Sequence, residues 1–224
     1  MSHNIITADM TDDEKIEFLG RHHYRALRRM KNPSERVQKA AIDLNYNAIS
    51  CIVNPSIDIQ MYAVCKNSYA FYQIYSPDEA VIDYMLTIDP YIIKDIARPS
   101  LDQQLYIFHH HPSIMYYIKR PHNTVFELEI RRNCSYIRNC YTTISQKRRA
   151  IDINPYTIGH LNNQTKELKD RAFAIDPSSI MKMRNPSRDM VRKAWEINPL
   201  WVQKFYNKFT KEMKVIYNLS RDHA

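Results

Sequence analysis

Pro33, Pro55, Pro77, Pro99 and Pro121 lie 22 residues apart, and no other feature narrows the folds open to this chain so far. A second series keeps step twelve residues behind: Asn45, Asn67, Asp89, His111 and Asn133. One residue is then dropped, and the register resumes at Asn154, Asp176 and Asn198, with Pro186 heading the last of eight copies. A period of roughly 20–50 residues marks a stacked repeat array.

The unit at residues 32–53 shows what one copy builds. Pro33 stops the preceding helix, since proline clashes with the turn before it and cannot donate. Ser34 then offers a side-chain oxygen to the orphan amides of a new helix, as do Ser56, Asp78, Ser100, Thr143, Thr165 and Ser187 in the same slot. His122 breaks that series, and Asn123 beside it is expected to cap instead. Val37, Ala41, Ile42 and Leu44 form a helical stripe, repeated by Met190, Ala194, Trp195 and Ile197. Asn45 and its equivalents start a second helix, with proline at its first position in Pro90, Pro112, Pro155, Pro177 and Pro199. Apolar pairs such as Ile49 with Ile52 and Ile93 with Ile96 give that helix its buried side. Helices this short are marginal alone, so the stripes are expected to be buried between neighbouring units.

The expected fold is therefore all-α: an α-solenoid of about eight two-helix repeats, a HEAT- or ankyrin-like stack without strands. Residues 1–31 are read as an N-terminal cap with a degenerate repeat, 32–207 as the repeats, and 208–224 as a C-terminal capping helix and tail. The missing residue between Pro121 and Thr142 predicts one shortened unit, irregular near Cys134 to Tyr141.

The runs NPSERVQKAAIDLN, NPSRDMVRKAWEINP and SPDEAVIDYMLTIDP resemble the tandem short helical-hairpin repeats found in proteins of large phages and giant DNA viruses. The resemblance covers residues 32–207. It implies a viral accessory protein acting on host machinery or defence, and it brings no known catalytic residues.

Composition restricts the chemistry. Two glycines, Gly20 and Gly159, leave no glycine-rich phosphate loop. Cys51, Cys65, Cys134 and Cys140 form no CxxC pair, so they read as reduced, packed thiols. The N-terminal MSHNIITADMTDDEK lacks the pattern of a secretory signal, and no apolar stretch approaches membrane-spanning length; a cytoplasmic location, in the host if the protein is viral, is expected. His109, His110 and His111 point in three directions at a helix end, so neither metal nor cofactor is expected. No nucleophile–base pair or carboxylate dyad is visible, so the chain reads as non-enzymatic; Asp43, Asp83 and Asp152 fall on slots expected to face water.

Recognition residues remain. Residues 1–142 hold 16 Lys/Arg and 16 Asp/Glu, while residues 143–224 hold 16 and 8, which places the whole excess of +8 in the last third. One slot runs Tyr62, Tyr84, Tyr106, Leu128, Arg149, Arg171, Lys193, changing from aromatic to basic. Its tyrosines read either as half-buried covers of the inter-repeat groove or as part of a binding face. Arg149, Arg171 and Lys193, with Arg148, Arg192 and Lys182, are the candidate basic stripe. Tyr69, Tyr72, Tyr91, Tyr116, Tyr117 and Tyr156 are the candidate aromatic face, tyrosine being enriched where partners dock. Two readings follow. The favoured one is a scaffold for an acidic host or viral protein, because stacked repeats offer extended surfaces. The other is a nucleic-acid binder that uses the basic groove and stacking tyrosines on single strands.

Overall fold

A computed structural model describes residues 9–222. Of the two end segments read from the sequence, including the start of the N-terminal run, residues 1–8 and 223–224 lie outside the described residues. The chain is all-helical, with no strand among the described residues. It clusters into two compact bodies, Met1–Ile96 and Ala97–Ala224.

Each repeat pairs an α-helix with a following 3-10 helix. The first body holds α1 (Asp12–His22), α2 (Glu35–Leu44), α3 (Ile57–Lys66) and α4 (Glu79–Ile88), followed by 3-10 helices at Tyr24–Arg29, Tyr46–Cys51, Ser68–Gln73 and Pro90–Lys94. The second holds α5 (Leu101–His110), α6 (Asn123–Arg132), α7 (Ile144–Ile153), α8 (Lys166–Ile175) and α9 (Arg188–Ile197). Their 3-10 helices are Pro112–Tyr117, Cys134–Asn139, Pro155–His160, Pro177–Lys182 and Pro199–Lys208, and α10 (Lys211–Asp222) follows. The expected solenoid of helical hairpins is thus present, and the segment at 12–29 adds a further unit of the same kind ahead of the eight counted from the register. Within each body α-helices pack on α-helices and 3-10 helices on 3-10 helices.

The caps work as the register expects, with two corrections, the first being that His111 makes no side-chain cap bond to the helix it precedes. Ser34, Ser56, Thr165 and Ser187 accept from the third amide of their helices. At α6 it is His122 itself, not Asn123, that caps, its Nδ1 accepting from the Thr124 N–H at 3.3 Å. The Asn45 series does two things at once. Asn45 closes α2 by donating its N–H to the Ala41 carbonyl, and its Oδ1 accepts from the Asn47 N–H at 2.9 Å to start the next helix. That two-residue side-chain turn, with i→i+3 bonds such as Ala48 N–H to Asn45 O at 2.9 Å, winds the second element as 3-10 rather than α.

Two expected core slots are corrected. Leu44 and Ile197 are 53% and 57% exposed, because each is the last residue of its helix and the chain turns away beyond it. Ile96 is only half-buried, and Ile92 beside Ile93 carries that packing instead. The loops need left-handed backbone despite the shortage of glycine, and asparagine supplies it: Asn32, Asn54 and Asn185 have φ of 46°, 49° and 49°. The shortened unit lies where the dropped residue places it. Cys140 is followed by two residues before the cap Thr143, and the Tyr141 N–H turns to the Lys119 carbonyl at 2.8 Å.

Candidate functional site

In the slot that changes from tyrosine to arginine, Tyr62, Tyr84, Arg149 and Arg171 each bond a residue of the preceding repeat. In the first body the Tyr62 hydroxyl donates to Asp43 Oδ1 at 2.7 Å, and Lys66 reaches the same carboxylate at 2.9 Å. Lys66, then Tyr62, holds the Asp43 carboxyl below its ordinary range. Tyr84 repeats the arrangement one unit later against Cys65, and that hydrogen bond raises its phenol. In the second body Arg171 grips Asp152, in the slot equivalent to Asp43, through two bonds of 2.6 and 2.7 Å.

Neighbouring residues explain the two departures. Arg149 would meet Arg131 in that slot, so it turns to Glu127 instead, at 2.8 and 3.0 Å. Lys193 would meet Ala174, so it pairs within its own helix with Asp189 at 2.8 Å. Arg148 pairs with Glu167 at 2.5 Å, and Arg192 bridges Asp189 and Glu196 at 3.0 and 3.2 Å. Five of the six basic candidates are therefore engaged with carboxylates. Asp43 and Asp152, expected simply to face water, are the acceptors of these struts.

Lys182 is the sixth. It ends a 3-10 helix, is exposed, and packs its stem against Gly159; a Cβ added at Gly159 would lie 2.8 Å from that of Lys182. Arg184 and Arg188 follow it, both exposed, and none of the three forms an ion pair with a described residue. Arg184 donates to the Asn162 carbonyl at 3.4 Å, and other cations of this region also bond loop carbonyls: Lys169 to Arg184 and Asn185, Lys208 to Pro186, Lys204 to Met181. Burial, then the charge of Lys182, holds the Lys204 ammonium below its ordinary range.

The aromatic candidates divide between the bodies. Tyr69, Tyr72 and Tyr91 are exposed in the first, which carries 10 Lys/Arg against 13 Asp/Glu. Burial, then Asp95 and Asp89, raises the Tyr72 phenol, which marks negative surroundings. In the second body, with 22 Lys/Arg against 11 Asp/Glu, the Tyr116 and Tyr117 rings pack 4.1 Å apart and the Tyr156 hydroxyl bonds Ser178. His110 and His111 lean on the Tyr106 ring, with centroids 4.7 and 5.8 Å away.

The register left other features unmarked. Ile175, Ile197 and Leu200 are exposed aliphatics on consecutive repeats of the second body, missed because the first two occupy a slot read as core. Glu129, in a slot held elsewhere by alanine, methionine or isoleucine, is buried. Comparison with protein-family models, curated proteins and solved structures finds no match. No helix among the described residues is long and apolar enough to cross a membrane.

Proposed function

We propose that the chain is a non-enzymatic repeat scaffold whose second body captures an acidic protein segment. The observation that carries this reading is the cluster Lys182, Arg184 and Arg188, three exposed cations without carboxylate partners among the described residues. The strut arginines already have their counter-charges, so they offer a partner less.

A protein partner is favoured over nucleic acid by what else the second body exposes. Ile175, Ile197 and Leu200 present aliphatic surface, which suits apolar side chains of a protein segment. A single strand instead wants aromatic platforms beside cations, and of the six candidate tyrosines the three most open, Tyr69, Tyr72 and Tyr91, belong to the acidic first body. The resemblance to repeats of large phages and giant DNA viruses would make the captured protein a host component.

Fluorescence titration separates the two partner classes. Three probes of equal length are compared: a peptide alternating Glu with Leu, a poly-glutamate peptide, and a single-stranded oligonucleotide. The alternating peptide is expected to bind tightest and to survive a rise from about 50 to about 200 mM salt, whereas phosphate contacts fade with a log–log slope of about −0.7 each. Tighter binding of the oligonucleotide at the higher salt would overturn the reading.

A further inference from the structure

One cleft interrupts the repetition, and it opens where the residue is missing. In a regular unit Ile52 is followed by Val53, Asn54 and Pro55 before the cap Ser56; after Cys140 only Tyr141 and Thr142 precede Thr143. Beside this short loop lies a cleft of about 450 Å³ lined by Arg138, Tyr141, Thr143, Lys147, His160 and Asn162, with no carboxylate in its wall.

The other repeats serve as internal controls. The slot of Lys147 holds Gln38, Gln60 and Gln104, whose Nε2 groups donate to the carbonyls of Pro33, Pro55 and Pro99 at 2.8, 3.0 and 2.9 Å. Gln60 and Gln104 also accept from the Asp78 and His122 amides at 2.9 and 2.8 Å, which closes the loop between repeats. Lys169, one unit on, spends its ammonium on two loop carbonyls. The Lys147 side chain makes no hydrogen bond or ion pair with a described residue, and nor does that of Arg138. His160 Nδ1 is shut off from solvent without a hydrogen-bond partner. Burial, then the charges of Arg138 and Lys182, holds that imidazole below its ordinary range.

We infer that this cleft binds a phosphate monoester, held by Arg138 and Lys147 with His160 beside them. A monoester is close to a dianion with three acceptor oxygens, which answers two uncompensated cations better than a single carboxylate does. α7 begins at the rim with Thr143, so the positive end of its dipole adds to the same field. The volume leaves room for the organic group, and Tyr141 offers it a flat, exposed face. This inference is independent of the acidic-protein reading, since neither Arg138 nor Lys147 belongs to the Lys182–Arg188 cluster.

Calorimetric titration of the full chain with inorganic phosphate, O-phosphoserine and adenosine monophosphate tests it. All three are expected to bind, and tighter binding of the nucleotide or of phosphoserine identifies a free nucleotide or a phosphorylated protein side chain as the source. Lys147→Gln and Arg138→Ser, which install residues that other repeats carry there, should each weaken binding about ten-fold or more. Both should keep the melting temperature, and Lys211→Ala, outside the cleft, should leave affinity unchanged. Absence of binding by all three ligands at millimolar concentration overturns the inference. So does a loss in Lys211→Ala equal to that in Lys147→Gln, which would show diffuse attraction. Should either cleft variant fail to fold, the other decides.

Discussion

Arg132→Ala is expected to destabilise the second body by about 3 kcal/mol, the low end for an ion pair broken from one side. Its partner Glu129 occupies the slot of Ala41, Ala63, Met85, Ile107, Ala150, Ala172 and Ala194, and its side chain is 1% exposed. Both Glu129 oxygens accept from Arg132, at 2.6 and 2.8 Å. Arg132 also donates to the Pro112 carbonyl at 3.2 Å and lies 5.6 Å from the Phe108 ring centroid. Alanine at 132 would strand a buried carboxylate; the arginine is 42% exposed, so water offsets part of that loss. Glu129→Ala removes the charge that needs pairing and restores the residue other repeats use, so it should cost much less. The double variant should likewise be more stable than Arg132→Ala alone. Urea unfolding of the three variants checks the order, and an Arg132→Ala no worse than Glu129→Ala would show that the carboxylate is not held by this arginine.

Ile92→Ala should cost about 2–5 kcal/mol, through lost burial and the cavity left behind. Ile92 is fully buried in the first body, while Ile96, four residues on, lies past the end of its 3-10 helix and is half-buried. Ile96→Ala should therefore cost distinctly less. The comparison tests the winding of the second element. An α-helix continuing through this stretch would give 92 and 96 the same face, whereas the 3-10 helix pairs buried Ile92 with Ile93 and ends at Lys94. Equal losses in thermal unfolding would contradict the 3-10 assignment.

The repeat register made the architecture legible because proline and capping residues act locally. Ser34 can accept from its own helix whatever lies beyond, so its recurrence marks helix starts directly. The type of the second helix was not legible, since over six residues an apolar pair at i, i+3 suits α and 3-10 winding alike. Leu44 and Ile197 misled because they extend the apolar stripe at helix spacing, yet a last residue has no following turn to cover it. The struts were half legible. Arg171 and Asp152 fall on the same two slots as Tyr62 and Asp43, so comparing slots pairwise would have found them. Arg149 turning to Glu127 depends on Arg131 filling the usual acceptor slot. Glu129 was visible as a charge among alanines, and its partner follows from three-residue spacing on one helix.

The central claim is that recognition falls to cations outside the struts. The most direct measurement compares two triple charge reversals of equal net change, read by affinity for the Glu–Leu peptide and by melting temperature. One places glutamate at Lys182, Arg184 and Arg188; the other places it at Arg149, Arg171 and Lys193. The first triple is expected to abolish peptide binding and keep the melting temperature. The second should lower the melting temperature, since it sets carboxylates against Glu127, Asp152 and Asp189, while the folded protein still binds. Intact binding in the first triple, or lost binding with an unchanged melting temperature in the second, would contradict the claim and return the working surface to the strut row.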